Sequence, residues 1–298
     1  MKYFLKYIVL VLLLSILMLE IILRSFGLSG DTMPTSIVNE DLVNKPYAEG
    51  TYIKGGLAEI KGHYVINSQG FNSLKDYSKL TDNKIRIAII GDSFIEGLQV
   101  DVEKSIGRLL EEQMESIEVH EYGRSGSNIV DYGLLYKKYI KGKYDFVFVN
   151  LTDKDLIEKL PENMGKLESL TKMNFGRRVY ENSYFIRYLN INHGLTSKLN
   201  DLINKDFSKS LKTESSFSEK EFFEKVNYQA LSLFDSSVIV LYESEKLKQF
   251  VKRPFRLKKL QIIHKRLPKD FGFDLHWNLN GRMNCAESIK NYIYEHKK

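Results

Sequence analysis

From Ile85 onward, short apolar runs alternate with amphipathic stretches. The runs IRIAII (from Ile85), IEVHEY (from Ile117), DFVFVNL (from Asp145) and SVIVLYE (Ser237 to Glu243) have the length and β-branched content of buried strands. Between them, apolar positions at helical spacing predict helices near Val102 to Met114, Ile129 to Ile140 and Glu221 to Leu233. A further strand is expected at Leu260 to His264 and a closing helix after Asn280. Strands alternating with helices imply a mostly parallel sheet with helices on both faces, an α/β fold of three layers, α/β/α.

The pattern before Ile85 is different. Lys2 and Lys6 precede an apolar run from Tyr7 to Leu23, broken only by Ser15 and Glu20, which is just long enough to span a bilayer. We read residues 1–27 as a signal anchor, a transmembrane helix with Lys2 and Lys6 on the cytoplasmic side. A cleaved signal peptide is the alternative, with Gly27-Leu28-Ser29 as a poor cleavage site. Residues 28–82 read as a linker and β-hairpin extension, the hairpin lying in Thr51 to Asn67 around Gly55-Gly56 with a structural role. Residues 83–298 form the main domain, with a polar, lysine-rich insertion at about 161–220, expected to be helical or a lid.

Composition narrows the function classes. The chain has 298 residues, 43% of them hydrophobic, enough for one large domain. Its net charge of +6 is spread over 44 basic and 38 acidic residues without a basic block, so no nucleic-acid partner is implied. The single cysteine, Cys285, excludes an internal disulfide and is expected to be a buried small hydrophobe. No cysteine closely follows the apolar run, which excludes lipoprotein attachment. His63, His120, His193, His264 and His296 lack metal-ligand spacing, and no phosphate-binding glycine loop is present, so no metal and no cofactor are expected.

Two segments carry candidate chemistry. Gly91-Asp92-Ser93 follows the IRIAII run directly, so Ser93 falls at the carboxyl edge of a parallel sheet, where reactive groups collect. Gly91 permits the sharp turn, and the N-terminus of the next helix favours developing negative charge. Taken alone, Asp92 or Ser93 could equally be a helix cap. Asp274-Leu275-His276 near the C-terminus supplies an imidazole and an acid two residues apart, which is what a serine nucleophile needs; alone, His276 reads equally as a surface or helix-start histidine.

Together these segments resemble the SGNH (GDSL-like) hydrolases. GDSFIEG (Gly91 to Gly97), YGRSGSN (Tyr122 to Asn128), VNLTDKDL (Val149 to Leu156) and DLHWNLNG (Asp274 to Gly281) are similar to that family's four blocks, in order. The resemblance implies a flavodoxin-like α/β/α domain and a serine esterase or deacylase. Ser93 would be the nucleophile, His276 the base and Asp274 its orienting acid, with backbone N–H groups of Ser93 and Gly126 as oxyanion donors. The third block departs from the family's Gly-x-Asn-Asp, because Lys154 stands where the donor asparagine is expected; Lys154, Asn128 or Asn150 would have to replace it. The implied substrate is an acyl ester, acetyl first, of an extracytoplasmic glycan or lipid, reached from a membrane anchor through residues 7–23. An O-acyltransferase for cell-envelope polysaccharide and a catalytically impaired glycan-binding protein of the same fold remain as alternatives.

Overall fold

The computed structural model describes residues 2–38, 41–78, 83–153, 155–156, 175–196, 198–199, 228–242, 258–261 and 271–296. The first helix, α1 (Lys2–Ser25), is apolar around most of its circumference, and its leucines and isoleucines are largely exposed. It is the one helix among the described residues long and apolar enough to cross a membrane. Two antiparallel hairpins follow: β1 (Thr35–Val38) with β2 (Asp41–Asn44), and β3 (Glu49–Lys54) with β4 (Ile60–Val65).

The main sheet contains β5 (Ile85–Gly91), β6 (Ile117–Gly123), β7 (Phe146–Leu151), β8 (Val238–Tyr242) and β9 (Lys258–Gln261), in the order β6-β5-β7-β8-β9 with every pair parallel. Alternating side chains divide its core in two. Ala88, Ile90, Val147, Val149, Val238 and Val240 face α4 (Ile129–Leu135) and α7 (Tyr228–Leu231). Ile87, Ile89, Phe148, Ile239 and Leu241 face α3 (Ile106–Gln113) and α8 (Leu279–His296), where Cys285 is fully buried. The three layers match the expected fold. The strand order reverses direction between β5 and β7, which opens a crevice at their carboxyl ends.

Several boundaries differ from expectation for local reasons. Val102 to Met114 is not one helix: a 3₁₀ turn at Val102–Lys104 ends at Ser105, whose extended backbone and side chain start α3 by accepting the Arg108 N–H at 3.4 Å. The Ile129 helix stays regular only to Leu135 and continues as a π turn, Tyr136–Ile140. The last strand runs Lys258–Gln261, with 262–264 outside the described residues. Within the insertion, α5 (Phe175–Asn182) and α6 (Tyr184–His193) are helical. Residues 161–174, 197 and 200–220 of the insertion are outside the described residues, as is 221–227 of the next expected helix.

Candidate active site

The chain leaves β5 at Gly91, where an added Cβ would collide with Ile95 and crowd Asn150 of β7. Asp92 caps the single-turn helix α2 (Ser93–Glu96) by accepting the Phe94 N–H at 3.0 Å, and Gly97 ends it in the left-handed region at φ 68°. A Cβ at Gly97 would also meet the buried Arg282 guanidinium. This short turn holds Ser93 at the mouth of the crevice between β5 and β7.

The loop before α8 brings in the other two groups. His276 Nε2 lies 2.7 Å from Ser93 Oγ, and its Nδ1 makes a short hydrogen bond to Asp274 Oδ1. The His276 backbone N–H donates to the same oxygen at 2.9 Å, so Asp274 fixes both the position and the tautomer of the ring. Phe94 packs 5.0 Å from the imidazole and 5.1 Å from buried Trp277, which limits ring movement. Burial would raise the Asp274 carboxyl, but hydrogen bonds from His276 and Lys54 outweigh it and hold the group well below the usual carboxylate range.

Lys54 was not foreseen. The hairpin was expected to be structural, yet the last residue of β3 places its Nζ 2.5 Å from Asp274 Oδ2. The contact spans 220 positions, and nothing in the local pattern of TYIKGG marks it. The contact ties the hairpin to the loop that carries His276. Lys54→Met is therefore expected to lower kcat/KM on p-nitrophenyl acetate about tenfold by loosening the placement of the ring. An unchanged kcat/KM would show that Lys54 does not position the loop.

The segment after β6 supplies Gly126, at φ 78° with open space where a side chain would be. Neither its N–H nor that of Ser93 makes a hydrogen bond among the described residues. Glu96 ties this segment to α2: its fully buried carboxylate accepts the Ser125 N–H at 3.0 Å, a short bond from the Ser125 hydroxyl, and Asn44 Nδ2 at 2.8 Å. Arg124 N–H reaches the Gly91 carbonyl at 3.1 Å, a second tie. Glu96 and Asn44 are positioning groups that a linear motif does not reveal. Asn128 caps α4, its Oδ1 accepting the Val130 N–H at 2.9 Å. Asn150 is buried on β7 beside Gly91. Lys154 lies outside the described residues.

Below Ser93, Asp92 and Asp155 share one buried neighbourhood. Burial, reinforced by the negative charge of Asp92, pushes Asp155 up to about 8, against a usual 3.8. The folded chain then binds more protons than the unfolded one between those values, so this group makes stability fall as pH rises from about 4 to about 8. Thermal scans at pH 5 and pH 8 should show a smaller fall in Tm for Asp155→Asn than for the parent chain. An equal fall would mean that Asp155 ionises normally.

The remaining histidines lie away from this constellation: His63 faces Glu49 on the hairpin, His120 is buried against Tyr77 and Tyr144, and His296 stacks on Tyr292. His193 closes α6, and His264 is outside the described residues.

No family model and no curated protein matches the chain. Among solved structures, a member of the lipolytic protein G-D-S-L family from Veillonella parvula has 12% identity and a TM-score of 0.39, covering 70% of this chain and 98% of its own. A carbohydrate acetylesterase family member from Sinorhizobium meliloti has 9% identity and a TM-score of 0.35, covering 71% and 98%. An acetyl xylan esterase from Butyrivibrio proteoclasticus has 10% identity and a TM-score of 0.34, covering 73% and 65%. The chain is thus similar, over about 70% of its length, to structures described as lipolytic and carbohydrate-esterase proteins.

Proposed function

We propose that the chain is a serine esterase of the SGNH type, acting on an acyl ester outside the cytoplasm from a membrane anchor. The observation that carries this reading is the hydrogen-bonded series Ser93 Oγ, His276 Nε2, His276 Nδ1 and Asp274 Oδ1. In the forward step, Ser93 Oγ attacks the ester carbonyl while His276 Nε2 takes its proton, and Asp274 stabilises the resulting imidazolium. The oxyanion is held by the Ser93 and Gly126 N–H groups. Collapse expels the alcohol, which receives the proton from His276 and leaves an acyl group on Ser93. Water then repeats the sequence, releasing the carboxylic acid and restoring the serine.

The anchor reading is favoured over a cleaved signal peptide because the region of the cleavage site is packed. Ser29 is buried, and Gly30 lies so close to the β3 backbone that an added Cβ would meet Ile53 N and Thr51 O at 2.6 Å. On this reading Lys2 and Lys6 would stay on the cytoplasmic side, with the residues beyond α1 outside.

The test needs no knowledge of the substrate. The full chain in detergent is treated with a fluorophosphonate probe, and the adduct is mapped by mass spectrometry. Labelling at Ser93 that is lost in His276→Ala is expected. A folded chain that does not label would instead point to the glycan-binding alternative.

A further inference from the structure

Three large apolar side chains stand open to solvent around the Ser93–His276 pair. Leu275, between the two acid–base residues, is 85% exposed, Phe273 is 52% exposed, and Leu57 at the tip of the β3–β4 hairpin is 79% exposed. The two segments are neighbours: a Cβ on Gly55 would lie 3.0 Å from the Phe273 ring, and Lys54 pairs with Asp274. An aqueous glycan gives no reason to leave such a rim uncovered.

The same hairpin tip is tied to the end of the membrane helix. Glu20, near the C-terminal end of α1, caps α6, accepting the N–H groups of Tyr184 at 3.0 Å and Phe185 at 2.8 Å and the Ser183 hydroxyl at 3.0 Å. Arg24 adds a bond to the Asn182 carbonyl at 2.7 Å, its guanidinium lying 4.5 Å over the Tyr184 ring. Toward the other end of α6, Asn192 Oδ1 accepts the Gly55 N–H at 2.7 Å and the Tyr188 hydroxyl donates to the Gly56 carbonyl at 3.2 Å. A helix of this length covers roughly 15 Å at 1.5 Å per residue. The connection from α1 to the domain is short and fixed, since Asp31 N–H reaches the Thr51 carbonyl at 2.7 Å and Leu23 is buried. The domain is packed on the end of the spanning helix instead of swinging from it.

We propose that this junction holds the apolar rim of Leu57, Phe273 and Leu275 against the outer bilayer surface, and that the substrate is an ester carried by a membrane lipid. The proposal rests on the esterase reading for its chemistry, but its geometry can be tested separately. Leu57→Cys and Lys143→Cys variants of the full chain are labelled with bimane maleimide and reconstituted in phosphatidylcholine vesicles containing doxyl-labelled lipid. Lys143 is exposed in the turn before β7, at the opposite edge of the sheet, and Cys285 is fully buried. The Leu57 probe should be quenched severalfold more than the Lys143 probe; equal quenching overturns the placement.

Turnover supplies the second arm, with p-nitrophenyl acetate in water compared with a fluorogenic acyl ester on a lipid in the same vesicles. Glu20→Ala should lower turnover of the vesicle ester about tenfold by loosening the orientation, with p-nitrophenyl acetate unchanged. An equal change on both substrates, or hydrolysis of the soluble ester alone by the parent chain, overturns the lipid substrate. Hydrolysis of neither ester removes the esterase reading and the lipid substrate with it, whereas the quenching result still reports where the mouth lies.

Discussion

Ser93→Ala and His276→Ala are each expected to reduce ester turnover by about 10⁶-fold, with the double variant no slower than either single one. The reason is the 2.7 Å contact between Ser93 Oγ and His276 Nε2. A serine hydroxyl is a weak nucleophile until its proton has somewhere to go, and His276 is the base placed to receive it. Removing either group therefore removes the same step, and the losses do not add. The Ser93 and Gly126 N–H groups would remain, so residual hydrolysis should still exceed that in water. Burst kinetics with p-nitrophenyl acetate on variants with unchanged melting behaviour would measure this. Additive losses in the double variant would mean that the two residues do not act as one unit.

Asp274→Asn is expected to cost about 10⁴-fold in kcat while leaving the fold intact. Asp274 is a nearly fully covered carboxylate that accepts from His276 through both its backbone N–H and Nδ1. An amide can occupy the same space, but it either presents its NH₂ to Nδ1 and turns the ring to the wrong tautomer, or keeps the tautomer without charge to stabilise the imidazolium. The substitution also leaves Lys54 facing a neutral group. In the double variant with Lys54→Met, part of that second penalty should be relieved, which a mutant cycle on kcat would detect. A loss no greater than tenfold for Asp274→Asn would remove Asp274 from the relay and leave it as a loop brace.

Much of the arrangement was legible without coordinates because it is local or periodic. The order of strands and helices follows from buried runs such as IRIAII and FVFVNL, whose composition leaves few other ways to cover both faces of a sheet. Ser93 was visible because it follows such a strand through a glycine, and Asp274 and His276 because two residues on one loop can meet without help from the rest of the fold. The apolar helix at the N-terminus was legible for a similar reason, since hydropathy needs no partner.

What the sequence did not specify are contacts between distant segments. Lys54 reaches Asp274 only after a hairpin and a C-terminal loop fold onto each other, and nothing in TYIKGG distinguishes that lysine from the chain's other basic residues. Glu96 reads as a surface acid within GDSFIEG, yet the β1–β2 hairpin brings Asn44 over it and buries it against Ser125. Ser105 interrupts an amphipathic stretch because a cap competes with helix continuation, a balance that periodicity does not register. The Glu20 junction likewise exists only where α1 meets α6. The sequence by itself therefore determined the layers of the fold and the candidate trio, because these depend on composition and short spacing. The support around the trio, its cationic neighbour and its attachment to the apolar N-terminal helix were decided by tertiary structure, because packing alone sets which distant polar groups share a buried space.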